Sequence, residues 1–284
     1  MPSASDRARP GEPLALCHKL AIEAAIAAMG LPFAEYSFAN LYLFREVHRY
    51  RFVDGPRPYI TGYTYDGRLH GLLLTPADAN DAHALLRHVD CLYPVQADDV
   101  RKLGGGFFVS SNANDSDYIY SAAHLAALDG RILKPKRQQA AAYRRRYTPE
   151  LQLGAPGFAA PAAELLDRWQ AEVEKAPALT DYAQCAEAIA LAVELGLETA
   201  LLSANGEPHG FLLASRLADG SIAVHFAKAR RDIVGSYPTL FSTYAACCGV
   251  ETLNFEQDLG IAGFRQAKRA LDPRASLVKF RVSA

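Results

Sequence analysis

Residues 221–268 spell a strand, a glycine turn, a helix, a second strand and a second helix, and a run of that kind calls for a sheet with helices packed on it. SIAVHFAKA (221–229) alternates and is rich in β-formers, which marks a strand. Gly235 then opens YPTLFSTYAACCG, where Tyr237, Leu240, Phe241, Tyr244 and Cys248 fall on one helical face. ETLNF (251–255) returns as a strand whose end delivers Glu256 and Asp258, at a place where α/β sheets gather ligand contacts. On GIAGFRQAKRAL the spacing puts Arg265 and Lys268 on the face of Ile261 and Phe264, so two cations point where apolar residues point. A buried charge needs a partner, and Glu256 and Asp258 are the nearest in sequence.

The rest of the chain repeats part of this plan. Residues 14–29 read as an Ala-rich amphipathic helix that stops at Gly30, and an aromatic-rich helical segment follows. PYITGYTYDG and RLHGLLLTP are strands joined at Asp66-Gly67, a strong hairpin signal. ETALLSANGEPHGFLLASR gives strand, turn and strand around Asn205-Gly206, and its NGEPHGFLL matches DGRLHGLLL of the first half. The match predicts an internal duplication of one αβ unit. LGAPGFAAP (153–161) has the composition of a linker. The expected domains are therefore 1–153 and 154–284, with the chemistry on the second.

Half of the residues are hydrophobic and the formal net charge is −1, which fits an ordinary globular protein and excludes a general nucleic-acid binder. No apolar run reaches the roughly 18 residues of a spanning helix. MPSASDRARPGEPL lacks the apolar core of a secretion signal, so a cytoplasmic location is expected. Five cysteines without C-x-x-C spacing read as reduced, buried thiols. His83 and His88 are split across a helix, and no metal site is expected. Against this balance, Lys134, Lys136, Arg137, Arg144, Arg145 and Arg146 meet no acidic residue between Asp129 and Glu150. Such a patch suits a polyanion. His225 and Lys228 are three apart on a strand, so at most one of them should face a site.

LNFEQDLGIAGFRQAKRALDP resembles the closing signature of the family of phosphatidylglycerol lysyltransferase C-terminal domain proteins, a tandem version of the GNAT acyltransferase fold. SDYIYSAAHLAALDGRILKPKRQQAAAYRRRY (116–147) is similar to that family's central motif, and AEYSFANLYLFR (34–45) is a third block in the same order. The resemblance implies an α/β (α+β) chain of two tandem GNAT-like domains, each a mixed central sheet flanked by helices, around a shared cleft. It implies transfer of an aminoacyl group from aminoacyl-tRNA, as co-substrate and without a bound cofactor, to an amine or hydroxyl of a lipid headgroup or small-molecule acceptor.

In the related transferases the closing segment lines the acyl-transfer site, and Glu256, Asp258, Gly260, Gly263, Arg265 and Lys268 match it. The implied catalytic set is Glu256, Asp258, Arg265 and Lys268. A carboxylate would supply or orient a base, and Arg265 or Lys268 would donate to the oxyanion. The family has a lysine where Lys228 stands, which leaves His225 a structural role. Lys228 joins Tyr118, Lys136, Arg137, Arg144 and Tyr237 as candidate substrate contacts. Two rivals stand beside this reading: a GNAT N-acyltransferase using acyl-CoA, and a non-catalytic binding protein for an anionic ligand. In ARRDIVGSYP the bulky Ile233 occupies the first glycine position of the GNAT pyrophosphate loop and only Gly235 fits, which argues against acyl-CoA.

Overall fold

Two mixed sheets of seven strands, each flanked by helices, account for the described residues, 9–284, in a computed structural model. The leader reading concerns residues that lie mostly outside that range. β1 (Glu12–Pro13) precedes α1 (Lys19–Met29), α2 (Phe38–Leu43) and α3 (Arg45–His48). Then come β2 (Arg51–Val53), β3 (Tyr59–Tyr63), β4 (Leu69–Leu73), α4 (Ala79–Leu86), β5 (Cys91–Val95), α5 (Ala97–Leu103) and β6 (Phe108–Ser111). The second sheet begins with β7 (Asp117–Ser121), and α6 (Ala122–Ala127), α7 (Lys134–Arg146), β8 (Pro149–Leu153), α8 (Ala159–Val173) and α9 (Tyr182–Ala190) follow. The chain closes with β9 (Glu198–Ala204), β10 (Glu207–Arg216), β11 (Ile222–Ala229), α10 (Ser236–Cys247), β12 (Thr252–Asn254), α11 (Ala262–Arg269), β13 (Ala275–Leu277) and β14 (Phe280–Ser283).

The strand orders, β1-β2-β3-β4-β5-β14-β6 and β13-β7-β12-β11-β10-β9-β8, show the duplication directly. Each sheet has one parallel step, β4 to β5 over α4 and β11 to β12 over α10. Each is also completed by a strand from the other half: β14 lies between β5 and β6, and β7 lies between β12 and β13. The runs β2–β7 and β9–β14 are thus copies of one topology that exchange their last strands.

This arrangement moves two expectations. A division after Leu153 would assign β7 and β8 to the first domain, yet both lie in the second sheet. The Gly- and Pro-containing stretch is only a short turn from β8 into α8, because hydrogen-bonded edges and not composition decide sheet membership. By strand order the counterpart of Asp66-Gly67, between β3 and β4, is Asp219-Gly220 between β10 and β11, and not Asn205-Gly206 between β9 and β10. All three turns put glycine at a left-handed φ, of 80°, 87° and 81° for Gly67, Gly220 and Gly206, so turn chemistry cannot tell them apart. The cysteines are free, but Cys17 and Cys247 are exposed.

One apolar core spans both sheets, joining Ile60 and Leu72 to Phe211, Leu213 and Phe226, with residues of α1, α2, α8 and α9 among them. Alternate residues of β10 and β11, such as Leu212 and Val224, face a second core under α6, α7 and α10. Both faces of these strands are covered, which is why their sequences are apolar almost throughout.

Candidate active site

β11 pairs with β12 only at Ile222–Leu253 and Ala223–Asn254. Beyond that point β11 runs on to Ala229 while the segment after β12 diverges from it, still bonded to β7 through Phe255 and Glu256, and the wedge between them is a cavity of about 540 Å³. Its walls come from both halves, with Phe44, Tyr50 and Tyr93 facing Phe226, Phe241 and Phe255. Among the described residues no helix is long and apolar enough to cross a membrane.

Glu256 is fixed from every side. Its φ of 57° is left-handed, a strained state for a residue with a Cβ. Its amide donates to Asn254 Oδ1 at 2.7 Å, and its carbonyl accepts from Tyr118 N at 3.1 Å and Lys268 Nζ at 3.0 Å. Its Oε1 accepts from Asn40 Nδ2 at 3.0 Å and lies 2.8 Å from His225 Nδ1. The carboxylate lines the cavity.

Lys268 reaches the same wall from α11, donating to the carbonyls of Glu256 and Gln257. Burial holds its ammonium down to about 8. Lys228, from β11, also lines the cavity. It donates to both oxygens of Asp181, at 2.7 and 2.8 Å, and sits 3.7 Å above the Trp169 ring. Lys228 and His225 both face the cavity, against the expectation that only one could. The reason is a bulge: Leu213 pairs with Phe226 and Ala214 with Val224, so His225 is an extra residue that resets the alternation.

Tyr237 and Lys136 also line the cavity, but Tyr118, Asp258 and Arg265 do not. Asp258 is fully buried and accepts from Arg265 Nε at 2.8 Å, from the Tyr118 hydroxyl at 2.7 Å and from Gly260 N at 2.8 Å. The Arg265 bond, with help from Tyr118, holds the Asp258 carboxyl down to about 2. Arg265 also donates to Asp258 Oδ1 at 3.1 Å and to Asn114 Oδ1 at 2.6 Å. Phe264 and Lys268, four apart on α11, do line the cavity, whereas Arg265 lies beside them in the stripe of Ile261 and turns to Asp258 and Asn114. On α7, Arg137 donates to Leu128 O at 2.5 Å and Arg144 to Ser242 Oγ at 2.9 Å. These two tie α7 to its neighbours, and neither lines the cavity.

The structure adds a charged group that sequence reasoning missed. Lys279 is fully buried on the cavity wall and donates to Glu35 at 2.7 Å and Asp117 at 2.6 Å. Burial alone would lower its pKa, but the Asp117 and Glu35 carboxylates outweigh that and raise it. Burial pushes the Glu35 carboxyl up to about 7. Arg281, two residues on, pairs with Asp115 and Asp66, each at 2.6 Å. The alternation of Lys279 and Arg281 with Phe280 and Val282 in a terminal strand was the available signal, because period two sends both cations to one face.

A cavity at the splayed parallel pair, walled by both halves of a duplicated sheet, is the setting in which the comparisons fall. The chain has no significant match among curated proteins. Among solved structures it is similar to a conserved protein of unknown function from Bacteroides thetaiotaomicron VPI-5482, at 21% identity and TM-score 0.81 over 96% of this chain and 99% of that one. It is similar to L-PGS from Bacillus licheniformis, at 16% identity and TM-score 0.63 over 98% and 94%. It is also similar to the C-terminal DUF2156 domain of a putative lysylphosphatidylglycerol synthetase from Agrobacterium fabrum, at 13% and 0.58 over 93% and 91%. At such identities these likenesses show the fold alone, a mixed α/β chain of two sheets flanked by helices. Residues 30–282 match the family described as phosphatidylglycerol lysyltransferase, C-terminal, and the chain belongs to that family.

Proposed function

We propose that the protein transfers an aminoacyl group from aminoacyl-tRNA to an amine or hydroxyl of a lipid headgroup or small-molecule acceptor. The observation that carries this is the pairing of Glu256 with Lys268 on one wall of the cavity. The Glu256 carboxylate is the base that takes the acceptor's proton as its nitrogen or oxygen bonds to the ester carbonyl carbon. An ammonium has three protons, and Lys268 spends two on the carbonyls of Glu256 and Gln257. The third is free for the oxygen on which charge develops. When the ester C–O bond breaks, the departing ribose oxygen takes the proton back from Glu256.

The acyl-CoA alternative needs open backbone amides at the start of α10. There Gly235 has φ of 98° and its Cα faces α7, where an added Cβ would fall against the Gln139 backbone and 2.8 Å from Tyr143 Cβ. Arg230 of the same loop is paired with Asp232 at 2.6 Å and Glu207 at 3.2 Å. Crowding and an added carboxylate both disfavour a pyrophosphate there. The exposed cations of α7, Arg145 and Arg146 among them, suit tRNA phosphates instead.

The test incubates the protein with separately charged tRNAs, using phosphatidylglycerol vesicles and small primary amines as acceptors. RNase-sensitive deacylation that requires an acceptor is expected, with Lys268→Met and Glu256→Gln each lowering turnover about a hundredfold. Acetyl-CoA consumption in its place would move the protein to the rival class.

A further inference from the structure

We infer that Ser215, His225 and Glu256 form a relay in which the buried His225 is the positioning residue for the cavity's base. The inference rests on the reading of Glu256 above and extends it to two residues outside the family signature. His225 is the extra residue of the β11 bulge. A bulge of this kind re-aims a side chain, and here it turns the imidazole to the cavity wall with no side-chain surface left exposed. Nδ1 lies 2.8 Å from Glu256 Oε1 and Nε2 lies 2.9 Å from Ser215 Oγ. Ser215 is itself buried on β10.

A carboxylate only accepts, so Nδ1 carries the proton and donates to Glu256. The hydroxyl of Ser215 both donates and accepts. Nε2 therefore keeps its bond whether the ring is neutral and accepts from Ser215, or cationic and donates to it. A ring that loses no hydrogen bond when its charge changes can stay in place while the neighbouring carboxylate gains and returns a proton. Asn40 Nδ2 supplies the second bond to Oε1 and fixes the carboxylate plane. The other charged or titratable groups around Glu256 are Lys268 from α11, Tyr65 from the first hairpin, and the Lys279–Asp117 pair on the same wall. None of these has a hydrogen bond to Oε1, so the orientation of the carboxylate falls to His225 and Asn40.

Two measurements test the relay. Proton NMR of the substrate-free protein should show a histidine N–H signal downfield of the amide envelope, lost in His225→Ala and Glu256→Gln and displaced in Ser215→Ala. No such signal, or one that Glu256→Gln leaves in place, overturns the relay whatever the reaction is. The second follows deacylation of lysyl-tRNA with phosphatidylglycerol vesicles. His225→Ala should lower kcat about a hundredfold with KM within about twofold, and added imidazole should restore about tenfold. Ser215→Ala, a small change that preserves packing, should lower kcat about three- to tenfold. A dead Glu256→Gln beside wild-type kcat in His225→Ala and Ser215→Ala would sink the inference and leave the proposed function standing. Full activity in Glu256→Gln would sink the reading on which it rests.

Discussion

Asp258 gathers bonds from Tyr118, Gly260 and Arg265 in a buried place next to the cavity wall, and this makes it an anchor for the loop that holds Glu256. Asp258→Asn should leave Arg265 and the Tyr118 hydroxyl poorly matched and cost roughly 1–3 kcal/mol. Thermal unfolding checks this, and an unchanged Tm would refute it. The pH dependence has a definite sign. The carboxyl is held down to about 2 in the folded protein, so its contribution is present above about pH 4 and disappears as pH falls through 2.

Lys268 behaves in the opposite sense. With its ammonium held down to about 8 against an ordinary 10.5, the unfolded chain binds more protons between those values, and stability rises with pH across that window. If the ammonium serves the transition state, kcat/KM should decline as pH rises through about 8. In Lys268→Arg the decline should move out of the accessible range, since a guanidinium does not deprotonate there. A basic limb that stays put in that variant would remove Lys268 from the chemistry. Glu256 and Lys268 were legible in the sequence because they stand twelve positions apart within one signature. The cluster of Glu35, Asp117 and Lys279 was not: alternation could put Lys279 on a face, but it meets Glu35 across 244 positions and Asp117 across 162, and no local pattern names such partners.

At the scale of elements, the long alternating strands and the helix after Gly235 were readable because period and cap agree there. Gly235 itself carried a different message from the one expected. Its place in the loop fits a phosphate-loop glycine, but its left-handed φ and lack of a Cβ let α10 start against the backbone of α7. Gly235→Ala should therefore destabilise the protein by about 2 kcal/mol or more, through overpacking and strain together. Chemical denaturation reads the effect. A variant as stable as the parent would mean that α7 yields freely, and would reopen the helix start to a pyrophosphate. The bulge at His225 shows the converse limit. One extra residue sent two side chains to the same wall, and it was invisible because a bulge is defined by its partner strand, which the sequence of β11 does not contain.

For the molecule as a whole, strand exchange sets how it unfolds. β7 belongs to the second sheet and β14 to the first, so neither sheet can lose its neighbour without losing a strand of its own. The two exchanged strands also meet: Asp117 begins β7, Lys279 immediately precedes β14, and their side chains pair at 2.6 Å with both fully buried. Asp117 is held further by Asn254 Nδ2 at 2.9 Å and Ala34 N at 3.2 Å, which draws in the end of β12 and the segment before α2. Removing the cation would leave Asp117 and Glu35, both buried on the cavity wall, facing each other without a cation between them. Breaking a buried pair from one side costs roughly 3–5 kcal/mol. Lys279→Met should therefore destabilise both sheets by the same amount, although the substitution lies beside a strand of the first sheet alone. Native-state hydrogen exchange can follow this in amides of β3 and of β10, which should open together with one free energy and lose equal protection in the variant. If β3 loosens while β10 keeps its protection, the halves are independent folding units and the exchange is a packing detail.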